Sequence, residues 1–229
     1  MAQKKSYVPK VTPELKTRAE KINSILDKTY LQARIALKFD ENPWELLVAV
    51  MLSAQCTDVQ VNKVTEKLFK KYKGVKAYAN VKQSELEKDI YSTGFYRNKA
   101  KNIIAAAKLV ISKFNGKVPK TMEELLELPG VARKTANIVL ANAYGNIAGM
   151  AVDTHMKRVN FRLGLTKQTD PDKIEQDLTA LLPKEKWFHY TYLIIDHGRA
   201  ICDAKKPLCS ECPLTGICPK NGVDKKFYA

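Results

Sequence analysis

Three features of the sequence combine residue types and spacings that suit chemistry. Lys134 follows a Pro-Gly pair in the segment LPGVARKTAN, residues 128–137. Asp153 follows the apolar run Met-Ala-Val in the segment GMAVDTHMKRVNF, residues 149–161. An amine and a carboxylate are candidates for a nucleophile and its acid–base partner, and thiols are candidate metal ligands. Four cysteines fall within 17 residues, at Cys202, Cys209, Cys212 and Cys218.

Residues 128–131 separate two helix-forming segments, 123–127 and 133–142, which predicts a helix-hairpin-helix motif. The N–H groups of such a turn and the N-terminus of the next helix bind phosphate without reading base sequence. The hairpin alone favours a solvated or phosphate-contacting cation for Lys134. The alternative is an amine nucleophile, because a cation in the first turn of a helix is poorly placed for the macrodipole. The candidate DNA contacts of the motif are Pro129, Gly130, Val131, Ala132 and Arg133.

Asp153 stands immediately before the helix-forming segment 156–163. An aspartate at that position usually caps the helix N-terminus, and this is the structural interpretation. The functional interpretation is a base or electrostatic partner for an amine nucleophile. Both hold if one carboxylate oxygen caps the helix and the other faces the substrate. His155, beside it, is a candidate phosphate contact.

The cysteines have the spacing C-x6-C-x2-C-x5-C. Tetrahedral zinc, a [4Fe-4S] cluster and four free buried thiols are all compatible with such a group. Zinc modules usually have two short C-x2-4-C pairs, whereas only one pair is that close here, which favours the cluster. Four cysteine ligands leave no open position for a substrate, so the site is expected to be structural. An electron carrier has little support, because no cofactor fingerprint accompanies the cysteines.

The charge of the chain favours a polyanionic partner, since 39 Lys and Arg against 24 Asp and Glu give +15. No stretch reaches about 18 uncharged apolar residues, so no membrane partner is expected. Residues 1–16 contain cations without an apolar segment, unlike a secretory signal. We therefore expect a cytoplasmic protein, associated with the nucleoid if the source is prokaryotic.

Helix-start patterns recur along the chain and predict an all-α fold. Strand-like alternation bounded by hairpin turns is absent, and the segment WELLVAVMLSAQ (44–55) predicts a central buried helix. Residues 1–12 are lysine-rich with few apolar anchors and are expected to fray. The predicted helix starts are at Asn42, Thr57, Ser84, Thr121 and Asp170.

Taken in order, LPGVARKTAN (128–137), VDTH (152–155) and the four-cysteine loop resemble the endonuclease III family of base excision repair glycosylases. LLVAVMLSAQCTD (46–58) and STGFYRNKAKNI (92–103) are similar to that family's two DNA-facing segments. The resemblance covers about residues 20–218, and the combination of three motifs is highly specific.

The resemblance implies two helical lobes with a DNA cleft between them. A six-helix lobe with the hairpin would span 37–147. The second lobe would combine 13–36 with 148–229 and carry a [4Fe-4S] cluster. The partner would be double-stranded DNA containing damaged bases or abasic sites, bound by a monomer.

The resemblance also implies a bifunctional glycosylase and lyase for oxidised pyrimidines. The damaged base would be flipped out of the duplex. Lys134 would attack C1′ and form a Schiff base, with Asp153 assisting, and β-elimination would cut the strand 3′ to the lesion. Gln55 would fill the gap left by the flipped nucleotide, and Phe95 would wedge against the opposite strand. The family usually has leucine at Phe95, so simple core packing is its alternative role.

One departure from the family lies in the hairpin, where Ala132 replaces a usual second glycine. If that position needed φ > 0, alanine would cost about 1 kcal/mol or more; if it needs only close approach to phosphate, alanine is small enough. Two competing functions remain: a non-catalytic, structure-selective DNA-binding protein, and a glycosylase of the same fold acting on mismatches.

Overall fold

The structure, a computed structural model, describes residues 7–228, and these form eleven α-helices, two 3-10 helices and no strand. The all-α prediction is confirmed. None of the described helices is long and apolar enough to cross a membrane. The helices are α1 (Pro13–Thr29), α2 (Pro43–Ser53), α3 (Asp58–Lys71), α4 (Gly74–Asn80), α5 (Gln83–Asp89), α6 (Tyr96–Phe114), α7 (Met122–Leu126), α8 (Arg133–Tyr144), α9 (Thr154–Arg162), α10 (Pro171–Leu181) and α11 (Lys184–Ala200), with 3-10 turns at Tyr91–Thr93 and Lys225–Phe227.

The chain divides into two compact units. The middle unit comprises 36–148, and the terminal unit comprises the chain up to 35 and from 149 onward. The predicted boundaries of 37 and 147 each lie one residue from this division. The middle unit has seven α-helices, α2 to α8, where six were predicted; α4, α5 and α7 have seven residues or fewer.

Helix α2 is the centre of the middle unit, as its apolar sequence predicts. Eight of its eleven residues are buried, and it packs against α3, α4, α6 and α8. Its start follows from local chemistry: Asn42 accepts a hydrogen bond from the Trp44 N–H, and Pro43 occupies the first helical position. A helix that is apolar all round is stable only when other elements cover every face.

Four of the five predicted helix starts are confirmed by side-chain caps at Asn42, Thr57, Thr121 and Asp170. The start predicted at Ser84 is wrong, because α5 begins at Gln83 and Ser84 lies inside it. The carbonyl of Lys82 accepts the N–H of the fully buried Leu86, so the first turn forms without a side-chain cap. Burial of Leu86 therefore outweighs the capping pattern.

The core of the terminal unit is formed where α11 packs against α9 and α1, with α10 against α1. Tyr190 of α11 is fully buried, and its hydroxyl donates to Asn160 Oδ1 on α9 at 2.6 Å. For the predicted frayed segment, residues 1–6 lie outside the described residues. Tyr7 is held, since its hydroxyl donates to the Asp177 carboxylate.

Candidate functional site

The hairpin between α7 and α8 requires a glycine at position 130 for two separate reasons. Gly130 has φ +80°, in the left-handed region that L side chains rarely adopt. A Cβ added there would lie 2.9 Å from Asn102 Cβ and 3.0 Å from Met51 Cε. The Val131 N–H closes the turn on the Leu128 carbonyl at 3.0 Å. Backbone conformation and close packing together fix the turn immediately before α8.

Ala132 is the N-cap residue of α8 and has φ −97° and ψ 170°, an ordinary extended conformation. Alanine therefore causes no backbone strain where the family usually has glycine. Of the two possibilities open from the sequence, a requirement for positive φ at this position is wrong. The side chain is exposed, so its methyl group is accommodated at the surface.

Lys134 is the second residue of α8, and its side chain is exposed, as is that of Arg133. The first turn of a helix has N–H groups without intrahelical partners, and these favour an anion. Val131 is buried and Pro129 is partly buried, so their side chains support the turn. The hairpin thus presents two cations and a helix N-terminus to solvent in five consecutive residues.

The structure places Asp153 at the N-cap of α9. Its Oδ1 accepts the Met156 N–H at 2.8 Å, so the capping interpretation is confirmed. Its Oδ2 lies 3.2 Å from His155 Nδ1, and the carboxylate is largely buried. Both oxygens therefore have partners within the terminal unit, and the imidazole orients the oxygen that the cap leaves available.

His155 packs where α9 meets α11 at Gly198. A Cβ at Gly198 would lie 3.0 Å from His155 Cδ2, so glycine is needed for this approach. Because Nδ1 faces Asp153, a phosphate contact from this ring would have to use Nε2. The ring is thus fixed by a carboxylate on one side and a helix on the other.

The four cysteines line a single cavity together with Arg162 and His197. Among the residues that the structure describes, no three His, Cys, Asp or Glu side chains are grouped to hold a metal ion. A single zinc would draw four sulfurs to about 2.3 Å from one point. In a [4Fe-4S] cluster each thiolate binds a different iron, so the sulfurs stand farther apart around a larger core. Four cysteine thiolates are the donor set that a [4Fe-4S] cluster takes.

Two arginines of α9 hold the backbone of the loop that begins at Cys202. Arg162 is 8% exposed and donates to the carbonyls of Cys202, Asp203 and Ala204 at 3.3, 2.6 and 2.9 Å. It also donates to Cys202 Sγ at 3.4 Å. Arg158 donates to the Cys202 carbonyl at 3.2 Å and to the Gly198 carbonyl at 2.9 Å. A buried guanidinium is tolerated because its donors are satisfied.

The sulfurs also receive hydrogen bonds that favour thiolates. The N–H groups of Leu214 and Lys220 donate to Cys212 Sγ and Cys218 Sγ at 3.4 and 3.3 Å. Burial raises the pKa of the Cys212 thiol to about 11 and that of Cys218 in the same direction. Without a metal these two thiols keep their protons, so metal binding displaces those protons, and the two N–H groups offset part of the free-energy cost.

His197 completes the surroundings of Cys212. Its Nε2 lies 3.6 Å from Cys212 Sγ, and its Nδ1 lies 3.0 Å from the Tyr30 hydroxyl. Burial lowers the pKa of His197 to about 4, so the ring is neutral and carries one proton. A metal-bound Cys212 thiolate would have no proton to give, so Nε2 would then donate to the sulfur and the Tyr30 hydroxyl would donate to Nδ1.

The two predicted DNA-facing residues of the middle unit share an unusual backbone conformation. Gln55, just after α2, has φ 53°, and Phe95, just before α6, has φ 47°. Both side chains are exposed, and Phe95 is 64% exposed. Core packing is therefore wrong as the role of Phe95.

Sequence reasoning did not identify Arg162, His197 or Lys99 as functional. A signal was available for Lys99, since it shares the i, i+4 stripe of buried α6 residues Ile103 and Ala107. Arg162 likewise follows Val159 at i+3 on the buried face of α9. A cation on an apolar stripe needs a buried acceptor, and only the structure shows which one.

Comparison with known proteins assigns the helical fold and the cysteine loop to a protein family. A model described as HhH-GPD superfamily base excision DNA repair protein matches residues 48–184. A second, the iron-sulfur binding domain of endonuclease III, matches residues 202–218. An endonuclease III of Synechocystis sp. is 55% identical over 204 residues, 89% of this chain and 93% of the relative. The chain belongs to the endonuclease III family.

Solved structures of this family agree with the assignment. A non-covalent endonuclease III–DNA complex is 43% identical and has a TM-score of 0.86, covering 92% of this chain and 97% of that one. A trapped endonuclease III–DNA covalent intermediate gives the same figures. The predicted cofactor is confirmed: the iron-sulfur binding domain of endonuclease III, a family that carries a [4Fe-4S] cluster, matches the segment that contains the four cysteines.

Replacing Arg162 with Ala should lower cluster occupancy, because the loop carbonyls lose the donors that fix Cys202. Partners around a metal site typically contribute about 10–100-fold in metal affinity. Iron per chain and the visible absorbance of the cluster measure the effect. Lys157→Ala, an exposed position on the same helix, is the matched control and should retain full iron. Normal iron content in the Arg162 variant would contradict the role assigned to it.

Gly130→Ala should impair the hairpin, whereas Ala132→Gly should be nearly neutral. The first change imposes positive φ on alanine, at about 1 kcal/mol, and adds the contacts with Asn102 and Met51. The second relieves no strain, because Ala132 is already in an extended conformation. The thermal unfolding temperature and the affinity for an abasic duplex should both fall in Gly130→Ala and should stay unchanged in Ala132→Gly. An equal loss in the two variants would show that the backbone conformation of residue 130 is not limiting.

Proposed function

We propose that this protein, a base excision repair DNA glycosylase and abasic-site lyase, removes oxidised pyrimidines from duplex DNA, using Lys134 as its nucleophile. The observation that carries the assignment is the exposed Lys134 amine in the first turn of α8, immediately after the Gly130 turn. The likeness to an endonuclease III trapped as a covalent DNA intermediate supports a nucleophilic enzyme.

The hairpin accounts for binding before chemistry. The N–H groups of the turn and of the first turn of α8 are a phosphate site, with Arg133 adding charge. A phosphate held there fixes the adjacent sugar relative to Lys134, two residues into the helix. Positioning of this kind converts a bimolecular attack into an effectively unimolecular one. Phosphate binding and nucleophilic attack are then successive uses of one short segment.

The reaction proceeds through a covalent adduct. The lone pair of Lys134 Nζ attacks C1′, the bond from C1′ to the base breaks, and the base leaves with the electron pair and takes up a proton. The nitrogen then loses a proton and the C1′–O4′ bond breaks, its electron pair going to O4′, which takes up a proton, so that a protonated imine joins Lys134 Nζ to C1′. Removal of a C2′ proton then expels the 3′ phosphate, and water hydrolyses the imine to regenerate the lysine.

Asp153 supplies the negative charge that this chemistry needs. Oδ1 is committed to the α9 cap, whereas Oδ2 faces the His155 imidazole. A carboxylate held in this way stabilises the positive charge that develops on the sugar and accepts a proton from the attacking amine. His155 acts as a positioning residue for the carboxylate.

Gln55 and Phe95 serve base flipping in this proposal. An amide can pair with the base left without a partner, and an aromatic ring can stack in the opened duplex. Their exposure makes both side chains available to DNA. The charge of +15 favours a duplex partner. We expect the protein to act as a monomer on cytoplasmic or nucleoid DNA.

Borohydride trapping tests the nucleophile. Single-lesion duplexes with an oxidised pyrimidine, an abasic site or a mismatch are incubated with the enzyme, with and without borohydride. The oxidised pyrimidine and the abasic site should give a covalent adduct, which Lys134→Ala should abolish and the exposed control Lys117→Ala should retain. Trapping that survives in Lys134→Ala would overturn the assignment. Cleavage of the mismatch alone would favour the mismatch glycosylase, and salt-dependent binding without product the non-catalytic DNA-binding protein.

Asp153 can be tested separately from its capping role. Asparagine caps a helix as well as aspartate, so Asp153→Asn should keep the stability of α9 but lose the charge. Its single-turnover rate should fall by about 100-fold or more. Asp153→Ala should lose a similar rate and also about 1 kcal/mol of stability. Stability is measured by chemical unfolding. Full activity in Asp153→Asn would show that Asp153 serves only to cap α9 and has no role in catalysis.

A further inference from the structure

Lys99, near the start of α6, is a buried cation whose partners are two backbone carbonyls. It is 6% exposed, and its Nζ donates to the Leu52 carbonyl at 2.8 Å and to the Thr93 carbonyl at 2.7 Å. Burial lowers the pKa of Lys99. An ammonium group buried in this way is costly unless its hydrogen bonds are made, so the surrounding backbone is held to them.

The two carbonyls belong to the two segments that present Gln55 and Phe95. Leu52 lies in the last turn of α2, where carbonyls have no intrahelical donor, and Gln55 follows three residues later. Thr93 ends the 3-10 turn, and Phe95 follows two residues later. One ammonium group thus joins the bases of two turns that are distant in sequence.

Both exposed side chains sit on strained backbone. A residue other than glycine in the left-handed region costs on the order of 1–2 kcal/mol and persists when its surroundings over-determine it. Gln55 and Phe95 both adopt that region. Both side chains are exposed, so burial of the side chain does not hold either residue, and the restraint comes from the bases of the turns.

A second hydrogen bond joins the same two segments at the surface. Gln60, in the first turn of α3, donates from Nε2 to Ser92 Oγ at 2.8 Å. Thr57 caps α3 and fixes the far end of the turn that contains Gln55. The two segments are therefore joined by an interior link at Lys99 and an exterior link at Gln60.

We propose that Lys99 is a positioning residue that holds the Gln55 turn and the Phe95 turn as one rigid pair, so that both side chains enter the duplex together. This rests on the proposed role of these residues in base flipping. Because the turns are set before DNA arrives, the protein spends little free energy ordering them during flipping. Lys99 is not a second nucleophile, since its amine is buried and already donates to two carbonyls.

The test compares excision from two substrates. In one, the damaged base is in a fully paired duplex; in the other, the damaged nucleotide is already extrahelical in a single-nucleotide bulge. Lys99→Met keeps the chain length and removes both donors. It should slow single-turnover excision from the paired duplex by about 10–100-fold, as expected for a small misplacement, and from the bulge far less. Lys108→Met, exposed on the same helix, should behave as wild type on both.

A second readout follows the base opposite the lesion. A 2-aminopurine placed there should brighten on binding wild-type protein as that base unstacks, and the rise should be lost in Lys99→Met. Gln60→Ala, which removes the exterior link, should show the same selectivity for the paired duplex with a smaller effect. If Lys99→Met does not fold, Gln60→Ala and Lys99→Arg replace it in the test. The same ratio is then measured, that of the single-turnover excision rate on the paired duplex to the rate on the bulged duplex.

Equal slowing on both substrates, or no slowing on either, would overturn the proposal and leave Lys134 chemistry standing. The two are separated by trapping on a preformed abasic site, which Lys99→Met should still give and Lys134→Ala should not. If Lys134→Ala still traps, the proposed function fails whatever the Lys99 variant does.

Discussion

The terminal unit depends most on the hydrogen bonds that the Arg162 guanidinium donates to the loop at Cys202. They hold Cys202, the first of the four clustered cysteines, against the C-terminal end of α9. The same helix begins at Asp153, nine residues earlier, so the two ends are on the order of 13 Å apart along the axis. The cluster loop and the Asp153 carboxylate are thus attached to one short rigid element.

The middle unit positions its exposed turns through backbone conformation, packing and buried hydrogen bonds. Its turns at Gly130, Gln55 and Phe95 all have positive φ, and each is supported by packing or by a buried donor. A turn of this kind is specific because few side chains and few conformations fit it. Rigid support allows short exposed segments to act on a stiff polymer such as duplex DNA.

Elements with local signals were predictable from the sequence. The side chains of Asn42 and Thr121 accept hydrogen bonds from N–H groups no more than three residues away, so these caps are visible in the local sequence. The close spacing of the four cysteines likewise indicates a single compact loop. Ser84 carried the same capping signal and misled, because burial of Leu86 decided where α5 begins. Lys99 joins the Thr93 carbonyl, six residues away, to the Leu52 carbonyl, 47 residues away, so no local pattern contains this link. The partners of Arg162 are about 40 residues away. The sign of φ at Ala132 was likewise not predictable, because the presence of alanine does not distinguish a strained positive φ from an extended conformation.

The division of the chain has a consequence for its synthesis. Residues 36–148 form a continuous unit whose contacts are complete once that stretch has left the ribosome. Helix α1 emerges earlier, yet its partners α10 and α11 come about 140 residues or more behind it, and Tyr30 at its end contacts His197. At a synthesis rate of about 5–20 residues per second, the apolar face of α1 stays uncovered for many seconds before α10 and α11 are made. The middle unit of the nascent chain can therefore fold first, and α1, although synthesised earlier, is among the last helices to pack.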